Sequence, residues 1–141
     1  MTIDDPEALA EVTAAVEAYE RALMDNDLAA LDAFFWDSPL TVRYGVAENL
    51  YGFDAIAAFR AGRSGGSPPR VRQRTQITTF GADLAVANVE FLRDGAPLAG
   101  RQSQTWIRTP RGWKVCAAHV SLLREGADER SPSPSGERES S

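Results

Sequence analysis

Along the first quarter of the chain, apolar residues recur at three- and four-residue spacing. Val12, Ala15, Val16, Tyr19, Ala22 and Leu23 make one stripe, and Glu11, Glu17, Glu20 and Arg21 fall mostly off it. That period predicts an amphipathic helix. Asp5-Pro6-Glu7 opens it with a capping carboxylate, proline at the first helical position and an acid in the first turn. Asp25-Asn26-Asp27 breaks the helix and caps a second over about 28–35, with Leu31, Phe34 and Phe35 facing in. Pro39 closes that element.

Short strands follow at about 40–44 and around residues 49–51, separated by a turn at Gly45. A third helix opens over 52–54, with Ile56 and Phe59 directed inward and Arg60 or Arg63 as candidates to join them, and a glycine-, serine- and proline-rich loop covers 62–69. From Arg70 the period changes to two. Four strand-like runs, about 71–80, 84–93, 99–109 and 113–123, are separated by Gly81-Ala82-Asp83, Asp94-Gly95 and Pro110-Arg111-Gly112, all hairpin chemistry. Helices segregated from a long meander predict an α+β domain over residues 1–124. A curved antiparallel sheet wrapped round a helix leaves a conical pocket open at one end. Residues 125–141 hold no large apolar side chain and are expected to form a disordered, acidic Ser/Pro tail.

Composition narrows the class. With 141 residues, 43% hydrophobic and 25% charged, the chain suits one globular domain. No apolar run approaches the roughly 18 residues of a membrane span and no leader opens the chain, so a cytoplasmic protein without membrane partners is expected. The single cysteine, Cys116, excludes an internal disulfide and a cysteine-cluster metal site. The net charge of −5 divides unevenly: −9 over residues 1–37, +7 over 38–124 and −3 in the tail. Eleven of the twelve central cations are arginine, whose planar fork suits carboxylates and phosphates. Basic helices, zinc fingers and RNA-binding aromatic motifs are missing, so nucleic acid is not an expected partner. Surface ion pairs with the acidic first helices are the alternative use of those arginines.

Candidate chemistry collects on a few residues. Tyr19 sits mid-stripe, so its hydroxyl needs a partner: a backbone carbonyl, or a ligand. Arg43 shares a strand side with Thr41. It is exposed on an edge strand, paired with an acid such as Glu48, or buried against an anion. Gln102, Gln104 and Trp106 share one strand face, and the pattern leaves open which face points in. His119, the one histidine, has the parity of Trp113, Val115, Ala117 and Ser121, with Cys116 opposite. No acid is placed to complete a Ser-His triad, and one histidine with scattered acids does not make a catalytic zinc site. Trp36, Tyr44, Tyr51 and Phe59 are expected as wall or core. Arg63, Arg70 and Arg72 are placed at the pocket mouth or in solvent.

The order of elements resembles the NTF2-like, or SnoaL-like, superfamily of cone-shaped α+β domains. Within it, Arg43-Tyr44-Gly45, the run Arg101-Gln102-Ser103-Gln104-Thr105-Trp106 and Ala118-His119-Val120-Ser121 resemble the AtzH-like family, as do Tyr19-Glu20, Phe35-Trp36 and Phe59-Arg60. That resemblance implies a part in catabolism of small nitrogenous compounds alongside amidase-signature enzymes. It also implies an amidohydrolase that acts on 1,3-dicarboxyurea and yields allophanate. It places activity on Tyr19 and Arg43, with Gln104, His119, Ser121 and Trp36 as substrate-binding candidates. In isomerases of this fold an acid donor often stands where Gln104 lies, and an amide there, with Arg43 near the usual carboxylate base, argues against ketosteroid isomerisation. The expectation is an enzyme on a small ureido or amide carboxylate that needs no cofactor or metal and forms a homodimer through the outer sheet face. The alternative is a non-catalytic module that binds a small acid or supports a partner amidase.

Overall fold

The Asp5 carboxylate accepts the Ala8 N–H at 3.1 Å and starts helix α1, Pro6–Met24, in the computed structural model, which describes residues 1–93 and 98–124. The expected tail and the Asp94-Gly95 turn lie outside the described residues. Asp27 caps α2, Leu28–Phe34, in the same way through the Ala30 N–H at 3.2 Å. Strands β1 (Val42–Tyr44) and β2 (Asn49–Tyr51), helix α3 (Phe53–Gly62) and strands β3 (Arg70–Phe80), β4 (Leu84–Arg93), β5 (Ala99–Thr109) and β6 (Gly112–Leu122) follow.

The six strands form one unclosed sheet in the order β2-β1-β6-β5-β4-β3. Its pairs are antiparallel except β1 with β6, which run parallel, so the sheet is mixed where an antiparallel one was expected. The physical reason is the long return: β1 comes before α3 and the whole meander, and β6 arrives beside it in the same direction. The sheet curves round α1, which packs on both β3 and β6, while α2 packs on α1 and β6 and α3 on β1 and β2.

The apolar stripe of α1 becomes the core as its spacing requires. Val12, Val16 and Tyr19 are buried with Leu31, Phe35, Ile56, Trp106 and Val115. Tyr19 meets Phe34 and Trp106 edge to face, with ring centres 6.0 and 6.3 Å apart. Toward the far end of the strands a second cluster, Val89, Phe91 and Val120, lines the inner face. There Gly100 makes room for Phe91: a Cβ on it would stand 2.2 Å from the ring.

One irregularity decides which β6 side chains reach the interior. Thr105 pairs with Ala117 but Trp106 pairs with Val115, so Cys116 is an extra residue on β6, a β-bulge. Trp113 and Val115 face inward before it, Ala118 and Val120 after it. The bulge therefore reverses the facing of everything that follows.

Candidate functional site

Arg43 leaves β1 toward the interior, because its neighbours Val42 and Tyr44 take the other side and Tyr44 packs edge-on against His119 on the outer face (5.7 Å). In register, Arg43 lies beside Ala118, and Ala118 lies opposite Gln104 on β5. The small Ala118 leaves two polar side chains on one row of the inner face, about 9–10 Å of sheet apart.

Arg43 is also held from its own hairpin. Its Nη1 donates to Glu48 Oε2 at 2.8 Å, and the Gly45 N–H donates to the Glu48 carbonyl at 2.8 Å. A Cβ on Gly45 would stand 1.8 Å from that carboxylate oxygen, so the Gly45 position is what lets Glu48 fold back onto Arg43. The pairing with Glu48 and the inward position both hold: Arg43 is an interior arginine with a carboxylate already on it.

Two further guanidiniums approach from α3. Ile56 and Arg60, and Phe59 and Arg63, stand four residues apart on one side of that helix. Arg60 is buried, bonds Asp32 and lies over the Phe35 ring at 5.0 Å. Arg63 follows the last turn, and its Nη2 donates to Ser67 Oγ at 2.8 Å. Phe59 carries Arg43 and Arg63 on one ring, at 5.9 and 5.6 Å from its centre. Tyr19, Arg43, Phe59, Arg60, Arg63 and Ser67 together line a small pocket of about 20 Å³, the room of roughly one water. Among the described residues no side chain or backbone group bonds the Tyr19 hydroxyl.

The electrostatics of this pocket are unbalanced. Glu48 answers Arg43 and Asp32 answers Arg60, but no carboxylate among the described residues answers Arg63. Burial, then the charges of Arg43 and Arg60, pull the Arg63 guanidinium below its ordinary value. Its Nε is buried without a hydrogen-bond partner. Gln104, 3% exposed, shows the same incompleteness one row away: its Oε1 accepts from Trp106 Nε1 at 3.0 Å while its Nε2 is buried and unpartnered. The face left open by the sequence is thus settled, with Gln102, Gln104 and Trp106 all inward.

Three expected site residues lie elsewhere. His119 is exposed on the outer face beside Ser103, because the bulge at Cys116 reverses the parity that had grouped it with Trp113 and Val115. Ser121 shares that outer face and accepts from Arg101 Nε at 3.3 Å. Trp36 lies past α2, where its N–H donates to the Val115 carbonyl at 2.9 Å, and it lines a separate open groove of about 630 Å³ with Asp37, Phe53 and Lys114. That groove is the larger cavity, but its charges of both signs do not converge on one point. Arg70 and Arg72, placed at the pocket mouth or in solvent, instead bind Glu20 and Glu17 on α1.

Sequence reasoning placed Asn26 in a helix break and Ser67 in a loop and gave neither a part in the site. The Asn26 side chain, on the turn between α1 and α2, accepts the Ser67 N–H at 2.8 Å and so fixes the loop that carries the Arg63 partner. Forty-one residues separate the two, and no local pattern announces the contact. The i, i+4 spacing of Phe59 and Arg63 was the one available signal for Arg63.

A model of the AtzH-like family matches residues 1–126. No protein of curated function matches the chain. Among solved structures, a protein of unknown function from Pectobacterium atrosepticum is 50% identical, with a TM-score of 0.84, over 86% of this chain and 95% of that one. A cystatin-like fold protein from Burkholderia xenovorans is also 50% identical, with a TM-score of 0.83, over 87% and 97% of the two chains. An NTF2-like protein of unknown function from Pseudomonas putida, 18% identical with a TM-score of 0.69 over 87% of this chain and 95% of that one, shares the fold. The family match spans every described element, and the chain belongs to the AtzH-like family, with an NTF2-like fold.

Proposed function

We propose that the protein is an amidohydrolase-type enzyme acting on a small ureido or amide carboxylate, of the 1,3-dicarboxyurea kind, in the pocket between α1, α3 and β1. The observation that carries this reading is the convergence of Arg43, Arg60 and Arg63 on Tyr19 with two carboxylates among the described residues to answer them. A half-buried surplus of positive charge costs free energy in the empty protein, and a bound carboxylate removes that cost.

Arg43 keeps one bond to Glu48 and offers the rest of its fork to a carboxylate. The Tyr19 hydroxyl donates to the carbonyl oxygen of the scissile group, where negative charge develops as water adds. In that step the water oxygen bonds the carbonyl carbon, the C–N bond breaks and a proton from water ends on the leaving nitrogen. For a 1,3-dicarboxyurea-like substrate both nitrogens stay on the product and bicarbonate leaves; for a terminal amide, ammonia leaves. A space of about 20 Å³ admits no such molecule as it stands, so binding requires side chains around Arg63 and Ser67 to move.

The test incubates the protein with small ureido acids and amide carboxylates and reads both bicarbonate and ammonia. Tyr19→Phe is expected to lose turnover by about 100-fold, the scale of one removed oxyanion donor, with carboxylate binding retained. Binding by the unaltered protein with no turnover of any of these substrates sinks the enzyme reading and leaves a small-acid-binding module.

A further inference from the structure

We propose that Arg63, rather than Arg43, is the principal seat of the substrate carboxylate, with the Ser67 hydroxyl as its second donor. The inference rests on the small-carboxylate reading of the same pocket and assigns the charge recognition within it. Arg43 and Arg60 enter the pocket already bonded to Glu48 and Asp32, whereas among the described residues the side-chain hydrogen-bond partner of Arg63 is a neutral hydroxyl.

The unused bonding capacity points the same way. Arg63 Nε is a buried donor with no acceptor, an arrangement native proteins seldom leave without a water, ion or ligand to complete it. Ser67 Oγ accepts from Arg63 and still has its own hydrogen to give. An anion placed against Arg63 receives both donors, and the neighbouring Arg43 and Arg60 charges favour it further. Phe59 supports the Arg63 guanidinium at 5.6 Å, and the Asn26 bond to the Ser67 N–H at 2.8 Å ties down the backbone that carries its hydroxyl partner.

The same imbalance separates binding from folding. Because Arg63 carries a charge that burial and two like charges disfavour, Arg63→Met is expected to be at least as stable as the unaltered protein. Arg43→Met strands Glu48 and is expected to be less stable.

The experiment measures Kd for malonate and N-carbamoylglycine by calorimetry on the full chain at fixed ionic strength, with urea midpoints for each variant. Arg63→Met is expected to weaken both probes at least tenfold without a lower urea midpoint. Arg63→Lys, which keeps the charge but lacks Nε, is expected to fall between. Unchanged Kd in Arg63→Met, with binding lost in Arg43→Met, overturns the assignment to Arg63 and leaves the carboxylate reading standing. Failure of the unaltered protein to bind either probe overturns the carboxylate reading itself, and the assignment with it.

Discussion

Glu17 and Glu20 stand nearly one turn apart on α1 and grip Arg72 and Arg70, two residues apart on β3. Each pair is a two-bond fork with the same distances, 3.1 and 2.6 Å. Arg70 offers Nε and Nη2 and Arg72 its two terminal nitrogens, and burial separates the pairs further: the side chains of Arg70 and Glu20 are 6% and 12% exposed, those of Arg72 and Glu17 23% and 43%. Removing one partner of a buried pair costs about 3–5 kcal/mol because the other charge is stranded, while an exposed pair is worth about 0–1 kcal/mol. After Glu20→Gln, Arg70 keeps Gln102 Oε1 at 2.8 Å and the Phe91 ring at 4.5 Å, which places the loss at the lower limit, about 3 kcal/mol. Glu17→Gln is expected to cost below about 1 kcal/mol. Urea unfolding at neutral pH reads both as shifts of midpoint at constant slope. Equal losses from the two variants, or a loss under 1 kcal/mol from Glu20→Gln, refute the claim that burial rather than geometry sets the worth of these pairs.

The exposed pair also gives a pH signature with a definite sign. Hydrogen bonds from Arg72 hold the Glu17 carboxyl below the usual carboxylate range. A carboxylate whose folded value is depressed contributes stability that is present above its unfolded value and is lost as pH falls through the folded one. The small stability gap between the unaltered protein and Glu17→Gln is therefore expected to be level from about pH 7 to 5 and to close toward about pH 3. A gap that widens on acidification contradicts the assignment.

Three further outcomes follow from particular contacts. Gly100→Ala drives a methyl into the buried Phe91 ring and is expected to destabilise by about 1–3 kcal/mol in the same urea assay, the range of overpacked cores. His119→Ala alters only the outer sheet face and the Tyr44 contact, so Kd for malonate is expected within twofold of the unaltered value; a tenfold loss contradicts the bulge-reversed facing. Burial pushes the Cys116 thiol up, so titration with a disulfide reagent at neutral pH is expected to be slow in the folded protein and complete on unfolding.

Much of the architecture was legible because it is written in local periods. The α1 stripe, the Asp5 and Asp27 caps and the two-residue alternation of β4 and β5 each follow from neighbouring residues alone. The facing of His119 was not, since a bulge adds one residue without changing composition. Its trace in the sequence is the unbroken small and apolar run Val115-Cys116-Ala117-Ala118, where alternation stops. The parallel return of β1 onto β6 and the Asn26–Ser67 tie depend on residues far apart in the chain, which no window of neighbours contains.

The uneven charge of the chain resolves into two populations of arginine, and the division isolates the site. The acidic helices answer Arg60 through Asp32, Arg70 through Glu20, Arg72 through Glu17 and Arg108 through Glu11. These contacts bind α1 and α2 to α3 and the strands, and they account for much of the arginine excess without any ligand. Arg21, Arg74, Arg101, Arg111 and Arg124 are exposed, where a cation without a bonded carboxylate costs nothing and carries no information. What is left is Arg43 with Glu48, and Arg63 and Arg93, both half-buried and without a bonded carboxylate among the described residues. Burial comes first in lowering both guanidiniums, followed for Arg63 by the charges of Arg43 and Arg60 and for Arg93 by those of Arg70 and Arg43, so both are under-compensated cations that feel the Arg43 charge. A ligand with one carboxylate satisfies Arg63 alone, whereas one with two acid groups reaches toward both. Malonate is therefore expected to lose more affinity in Arg93→Met than N-carbamoylglycine does, and equal losses for the two probes would show that Arg93 acts only through the general field.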